Sequence, residues 1–139
     1  VLKPNGIFHL LQEDYGMIFT APIDTTAFFR DGPIAYGAAS QSSLQIGRET
    51  FSILKKLGFK DSQITIDYLT IDTLRVDRKI LISMISSWRD GYTEPLAEKT
   101  NLTVEQVETY WKQVLETLED PNGYFVWQIP IVCVYVEMN

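Results

Sequence analysis

Three neighbouring stretches constrain the fold of this chain more than any other feature. Residues 7–12 (IFHLLQ) form a short apolar run behind a Pro4-Asn5-Gly6 turn, and residues 64–69 (ITIDYL) alternate apolar and polar side chains. Between them a helical repeat starts at Ser42 or Ser43 and runs to about Leu57. Leu44, Gly47, Phe51 and Leu54 form its stripe, with Ile46, Ile53 and Leu57 beside it. Gly58 follows where a helix end favours a left-handed residue. A strand, a helix and a strand at this spacing make a βαβ unit. The continuous IFHLLQ run suits a strand buried on both faces.

The rest of the chain extends this unit. Residues 77–88 place Ile80, Leu81, Met84, Ile85 and Trp88 on one helical face. Residues 103–119 do the same with Val104, Val107, Trp111, Val114, Leu115 and Leu118, and Thr103 with Gln106 supplies a capping box. The DPNG turn at 120–123 leads into a terminal strand over 124–136, in which Pro130 calls for an edge position or a bulge. Residues 16–37 carry Pro22, Pro33 and three glycines, with Phe19, Phe28 and Phe29 among them. They read as a long functional or partner-covered loop. The expected fold is α/β: one domain over 1–139, with three main helices and a small mixed sheet of about three strands whose last strand is antiparallel.

Composition narrows the function classes. At 139 residues and 45% apolar, the chain has enough material for one core. No run of 18 apolar residues suggests a membrane span, and no leader pattern is read at the start. The lone Cys133 lies in an apolar run and reads as a buried thiol in a reducing, cytoplasmic setting. With one His and one Cys, a metal site is not expected. The net charge is −6, and residues 94–120 hold seven acids against Lys99 and Lys112. That segment resembles a helix-turn-helix in outline, but its Glu105, Glu108 and Glu116 would repel phosphate. Neither nucleic acid nor a membrane is therefore an expected partner.

The phrases themselves resemble a known family. VLKPNG before the first strand is similar to the entry into the fifth strand of class I S-adenosylmethionine-dependent methyltransferases. EDYG would end that strand, IGRETFSILKKLGF resembles the helix and turn before the sixth, and GYFVWQIPIVCVYV resembles the closing seventh. The resemblance implies the carboxy-terminal half of a Rossmann-like methyltransferase, with 77–119 as a helical insertion between its last two strands. It also implies that S-adenosylmethionine binds in a longer parent and not here. No glycine-rich cofactor loop occurs in these residues. Alone, the chain is then expected to be inactive and to self-associate, as a dimer, through the edge of its first strand.

Ligands of open α/β sheets bind beyond the carboxyl ends of strands. This marks Glu13, Asp14 and Tyr15 as candidates on the side of a small-molecule substrate, with Asp14 as a loop cap and Tyr15 as a packing aromatic in the blander reading. Trp88, Tyr92, Tyr110 and Trp111 are either core aromatics or the lining of an apolar pocket. Arg48 reads as helix surface, and His9 as a satisfied core histidine. The rival to the enzyme reading is a non-catalytic α/β module that docks a basic partner on the acidic lobe over 94–120.

Overall fold

The computed structural model describes Lys3 and residues 5–136. Its frame is the last strand, β4 (Tyr124–Tyr135). Along one edge β3 (Ile64–Asp72) runs antiparallel to it, from Ile64 opposite Val134 to Asp72 opposite Val126. Along the other edge two short strands lie end to end. β1 (Ile7–Leu11) pairs with residues 131–135, and β2 (Ile18–Ala21) pairs with 124–127, both antiparallel. β1 and β3 therefore point the same way on either side of a central, antiparallel β4. The terminal strand is antiparallel, as expected. The sheet has four strands and not three, because the first strand is broken in two, and every ladder is antiparallel and not mixed.

The segment over 16–37 is not a loop. After β2 it forms a helical rod of α1 (Thr26–Phe29), a π turn at Arg30–Ile34 and α2 (Ala35–Ala39). Pro33 lacks the N–H that an α-helix would use, and the wide π turn accommodates that loss. Phe28 and Phe29 are fully buried, whereas Phe19 on β2 is about half exposed at 48%. The spacing of Phe28, Phe29 and Tyr36 is helical. The prolines and glycines around them masked it.

α3 (Ile46–Lys56) covers one face of the sheet, where Leu54 meets Val132 and Val134 with Phe8, Leu10, Phe59 and Ile64 at the rim. Its buried stripe is Gly47, Thr50 and Leu54. Phe51, Ile53 and Leu57, expected on or beside the stripe, are exposed. Gly58 ends the helix at φ +95° as its position implied. The opposite face, at the other end of β4, carries Phe125, Trp127 and Ile129. These pack under α4 (Arg78–Lys99) and α5 (Val104–Glu119), a helix hairpin. α4 runs past the expected end at Trp88, through Gly91 and Pro95, because Leu96 is buried in the same core. α5 begins with the expected box, Thr103 and Gln106 each capping the other's backbone. Between β3 and α4, Asp72 receives the backbone N–H groups of Leu74 and Arg75. Burial opposes its charge, but these donors and the Arg75 guanidinium outweigh it and hold the carboxyl below its ordinary range.

Each helical layer covers only its own end of the sheet, which corrects three further expectations. β1 is not buried on both faces: Ile7 and Leu11 are exposed, and His9 with them. His9 is therefore not a core histidine, and Cys133 opposite it is half-buried, not buried. The entry turn is closed by Gly6 N–H to Lys3 C=O at 2.9 Å, with Asn5 at φ +58°. Pro4 lies outside the described residues.

Pro130 sits in the central strand. Its carbonyl accepts from the Gln12 N–H at 3.1 Å, so its missing donor faces the gap between β1 and β2, where no ladder partner is required. On the α3 side, a Cβ on Gly47 would lie 2.7 Å from the Pro130 ring. Gly47→Ala is expected to lower stability by about 1–3 kcal/mol, through the overpacking this contact forces. Urea unfolding checks this, and an unchanged midpoint would show that α3 and β4 are not in close contact there.

Candidate functional site

The break in the first strand builds the site. Six residues, 12–17, stand opposite only three of β4, 128–130, and so bulge away from the sheet at its centre. Backbone groups taken out of a ladder need other partners, and here they find them. Tyr15 N–H donates to the Leu44 carbonyl at 2.9 Å, and Gly47 N–H, in the open first turn of α3, donates to the Glu13 carbonyl at 3.1 Å. The Trp127 indole N–H reaches the Asp14 carbonyl at 3.2 Å.

The Asp14 side chain is fully buried at the centre of the bulge. Its carboxylate accepts a two-pronged pair from Arg48, Nε to Oδ2 at 2.7 Å and Nη2 to Oδ1 at 2.8 Å, and the Gly16 N–H at 3.0 Å. Arg48 is therefore not mere surface decoration, although half of its side chain remains exposed. Gly16 must be glycine for the same reason: a Cβ there would lie 2.3 Å from Arg48 Nη2.

With Asp14 fixed below, its neighbours Glu13 and Tyr15 line a cavity of about 270 Å³. Its other walls come from Pro33 and Tyr36 of the helical rod, Leu44, Trp88, Tyr92 and Leu96 of α4, and Trp111 of α5. Glu13, Tyr15, Trp88 and Tyr92 are thus brought together from distant parts of the sequence, and Asp14 supports them from beneath. The rings interlock: Tyr15 lies 5.7 Å from Trp88 and 5.3 Å from Trp127, and Trp88 meets Trp127 edge-on at 5.4 Å. Tyr36 and Tyr92 meet edge-on at 6.5 Å. Tyr110 is instead stacked on Phe28 at 5.1 Å and stands outside this cavity. Pro33, Tyr36 and Leu44 were not foreseen. The helical spacing of Tyr36 with Phe28 and Phe29 is the signal that could have found Tyr36.

The electrostatics of the cavity are one-sided. Glu13 is the only lining residue with a formal charge, and its carboxylate has no ion-pair partner among the described residues. Burial, then the charge of Glu13, then Tyr92, push the Tyr15 phenol far above its ordinary value, so it stays protonated at neutral pH. Its hydroxyl keeps a proton to donate.

Elsewhere, His9 Nδ1 and Cys133 Sγ approach to 2.8 Å across the β1–β4 ladder. Among the described residues no cluster of three His, Cys, Asp or Glu side chains is placed to hold a metal. Gly6, Gly16, Gly32, Gly37, Gly47 and Gly123 are each filled by close contact with this chain's own atoms, and Gly58 and Gly91 face open space. No helix of the described residues is long and apolar enough to cross a membrane. No protein-family model matches the chain, and no curated protein matches it.

Removing Arg48 strands the Asp14 carboxylate. Arg48→Met is expected to cost about 2 kcal/mol in urea unfolding, toward the low end for such pairs because Arg48 is half solvated. Adding Asp14→Asn in that background should recover part of the loss, since a neutral amide is easier to bury. A silent Arg48→Met would mean that the bulge does not depend on the pair.

Proposed function

We propose that this chain is the substrate-side portion of an S-adenosylmethionine-dependent methyltransferase, and that the aromatic cavity receives a small-molecule methyl acceptor. The observation that carries this reading is the strand order. A broken first strand and a parallel β3 flank a long antiparallel terminal strand, with a helix crossing between them. This is the order that the sequence resemblance implies for the last three strands of that fold. The cavity at the carboxyl end of β1 stands where open α/β sheets take ligands.

The cofactor belongs to a longer, cytoplasmic parent in this reading, and six of the eight glycines here lie against the chain's own atoms. Methyl transfer depends chiefly on holding acceptor and donor in line, and the part assigned to this chain is to seat the acceptor. The test is to express the reading frame that contains these residues and to measure S-adenosylmethionine binding by calorimetry, beside the 139-residue chain. Binding to the parent and none to the chain is expected. A parent that fails to bind would overturn the reading.

The same reading explains what the sheet leaves open. The outer edge of β1 pairs with no strand among the described residues, and Ile7, Leu11, Phe51, Ile53 and Leu57 are all exposed. In a full methyltransferase fold the fourth strand would occupy that edge. The isolated chain is expected to form dimers through it, and sedimentation at rising concentration checks this; a strictly monomeric chain would contradict it.

One observation favours the rival reading as a protein-interaction module. Glu94, Glu98, Glu105, Glu108 and Glu119 are exposed on the α4–α5 hairpin with no cation within 4 Å among the described residues. If the parent ignores S-adenosylmethionine, this surface and a basic partner become the leading explanation.

A further inference from the structure

Five electron-rich rings, Tyr15, Tyr36, Trp88, Tyr92 and Trp111, and one carboxylate, Glu13, border the cavity, and among the described residues no Lys, Arg or His lines it. The faces of Trp and Tyr rings carry partial negative charge and attract cations, most strongly where water is excluded. Glu13 adds a full negative charge at the same opening. Arg48, the cation bound at the bulge, is already committed to Asp14 through both prongs of its guanidinium. The protein thus supplies no positive charge of its own to this space.

The rings are held before any ligand arrives. Tyr15 is wedged against Trp88 and Trp127, and its backbone N–H is bound to Leu44. Tyr36 and Tyr92 brace each other from two different helices. Trp111 forms part of the wall and is buried, yet its indole N–H has no partner among the described residues. An unpaired buried donor beside a cavity is the kind of group a ligand's polar atom satisfies. At about 270 Å³ the space lies at the small end of ligand pockets, which excludes a large cofactor or a peptide.

We infer that the cavity binds a small organic ammonium ion, the cation held by the Tyr15, Tyr36, Trp88 and Tyr92 rings and by the Glu13 carboxylate. This rests on the reading of the cavity as the acceptor site, and it names the acceptor's class, an amine: bound as its ammonium ion it gives an N–H proton to the Glu13 carboxylate, the freed lone pair takes the methyl group as the donor's sulfonium becomes a thioether, and the methylated product is again a cation. A positive charge in the cavity also supplies a counter-ion for Glu13, which has none among the described residues.

The test uses two probes of nearly the same shape on the 139-residue chain, with no cofactor present. Choline carries a trimethylammonium group, and 3,3-dimethyl-1-butanol replaces its nitrogen by carbon. Binding is followed by tryptophan fluorescence, which Trp88 and Trp111 in the cavity wall should report. Choline is expected to bind at least about tenfold more tightly than its neutral isostere, a ratio within reach of a desolvated cation–π site with a carboxylate. Glu13→Gln, a substitution at an exposed position, should reduce that ratio severalfold, and Tyr92→Leu should reduce it as well. Equal binding of the two probes, no binding of either, or a ratio that Glu13→Gln leaves unchanged would each overturn the inference. Because no methyl donor enters the experiment, such a failure leaves the methyltransferase reading standing, while failure of the parent to bind S-adenosylmethionine leaves the cation site intact.

Discussion

The buried pair between Asp14 and Arg48 is the interaction on which the rest of the molecule turns. A strand running the full length of β4 would have been the simplest neighbour for it. Instead the chain leaves the ladder at Gln12 and rejoins it at Ile18, and a carboxylate is buried where the ladder is missing. An unpaired carboxylate at such a place would be strongly unfavourable. Arg48 offsets that with two charge-assisted bonds, and the Gly16 and Gly47 backbones close the remaining gaps. Pro130, which has no N–H to give, occupies the one stretch of β4 where the missing strand asks for none.

The bulge has consequences on both faces. It draws the first turn of α3 against the sheet at Gly47, and so sets where that helix crosses β4. It also lifts Glu13 and Tyr15 out of the sheet and toward α4, where Trp88 and Tyr92 meet them. In a continuous strand Glu13 and Tyr15, two positions apart, would still share a face, but they would stand in the ladder beside residues 128–130 and not out toward α4. The cavity is therefore made by the interruption of the sheet, and its floor is as fixed as the ion pair that holds it.

Much of the scaffold was legible in the sequence because short-range rules decide it. The Thr103–Gln106 box, Gly58 at the end of α3, the apolar stripe of α5 and the alternation of residues 64–69 all follow from local chemistry. The segment over 16–37 was not legible, because prolines and glycines signal a loop while the burial that makes Phe28 and Phe29 helical is a tertiary effect. The run of α4 past Trp88 was not legible either, since Leu96, beyond Pro95, is held in the core. Glu13, Asp14, Tyr15, Trp88 and Tyr92 could be named singly from the sequence. Their convergence depends on the partnership between Asp14 and Arg48, 34 positions apart, which no spacing rule reveals.

The most direct measurement is a crystal structure, with S-adenosylhomocysteine bound, of the longer parent that the proposed methyltransferase reading requires. The sulfur of that ligand should lie at the mouth of the cavity, facing Tyr15 and Glu13, with the free space among Trp88, Tyr92 and Tyr36 continuous with it. A sulfur at the other end of the sheet, or one walled off from this cavity by protein, would contradict the assignment of these residues to the acceptor side.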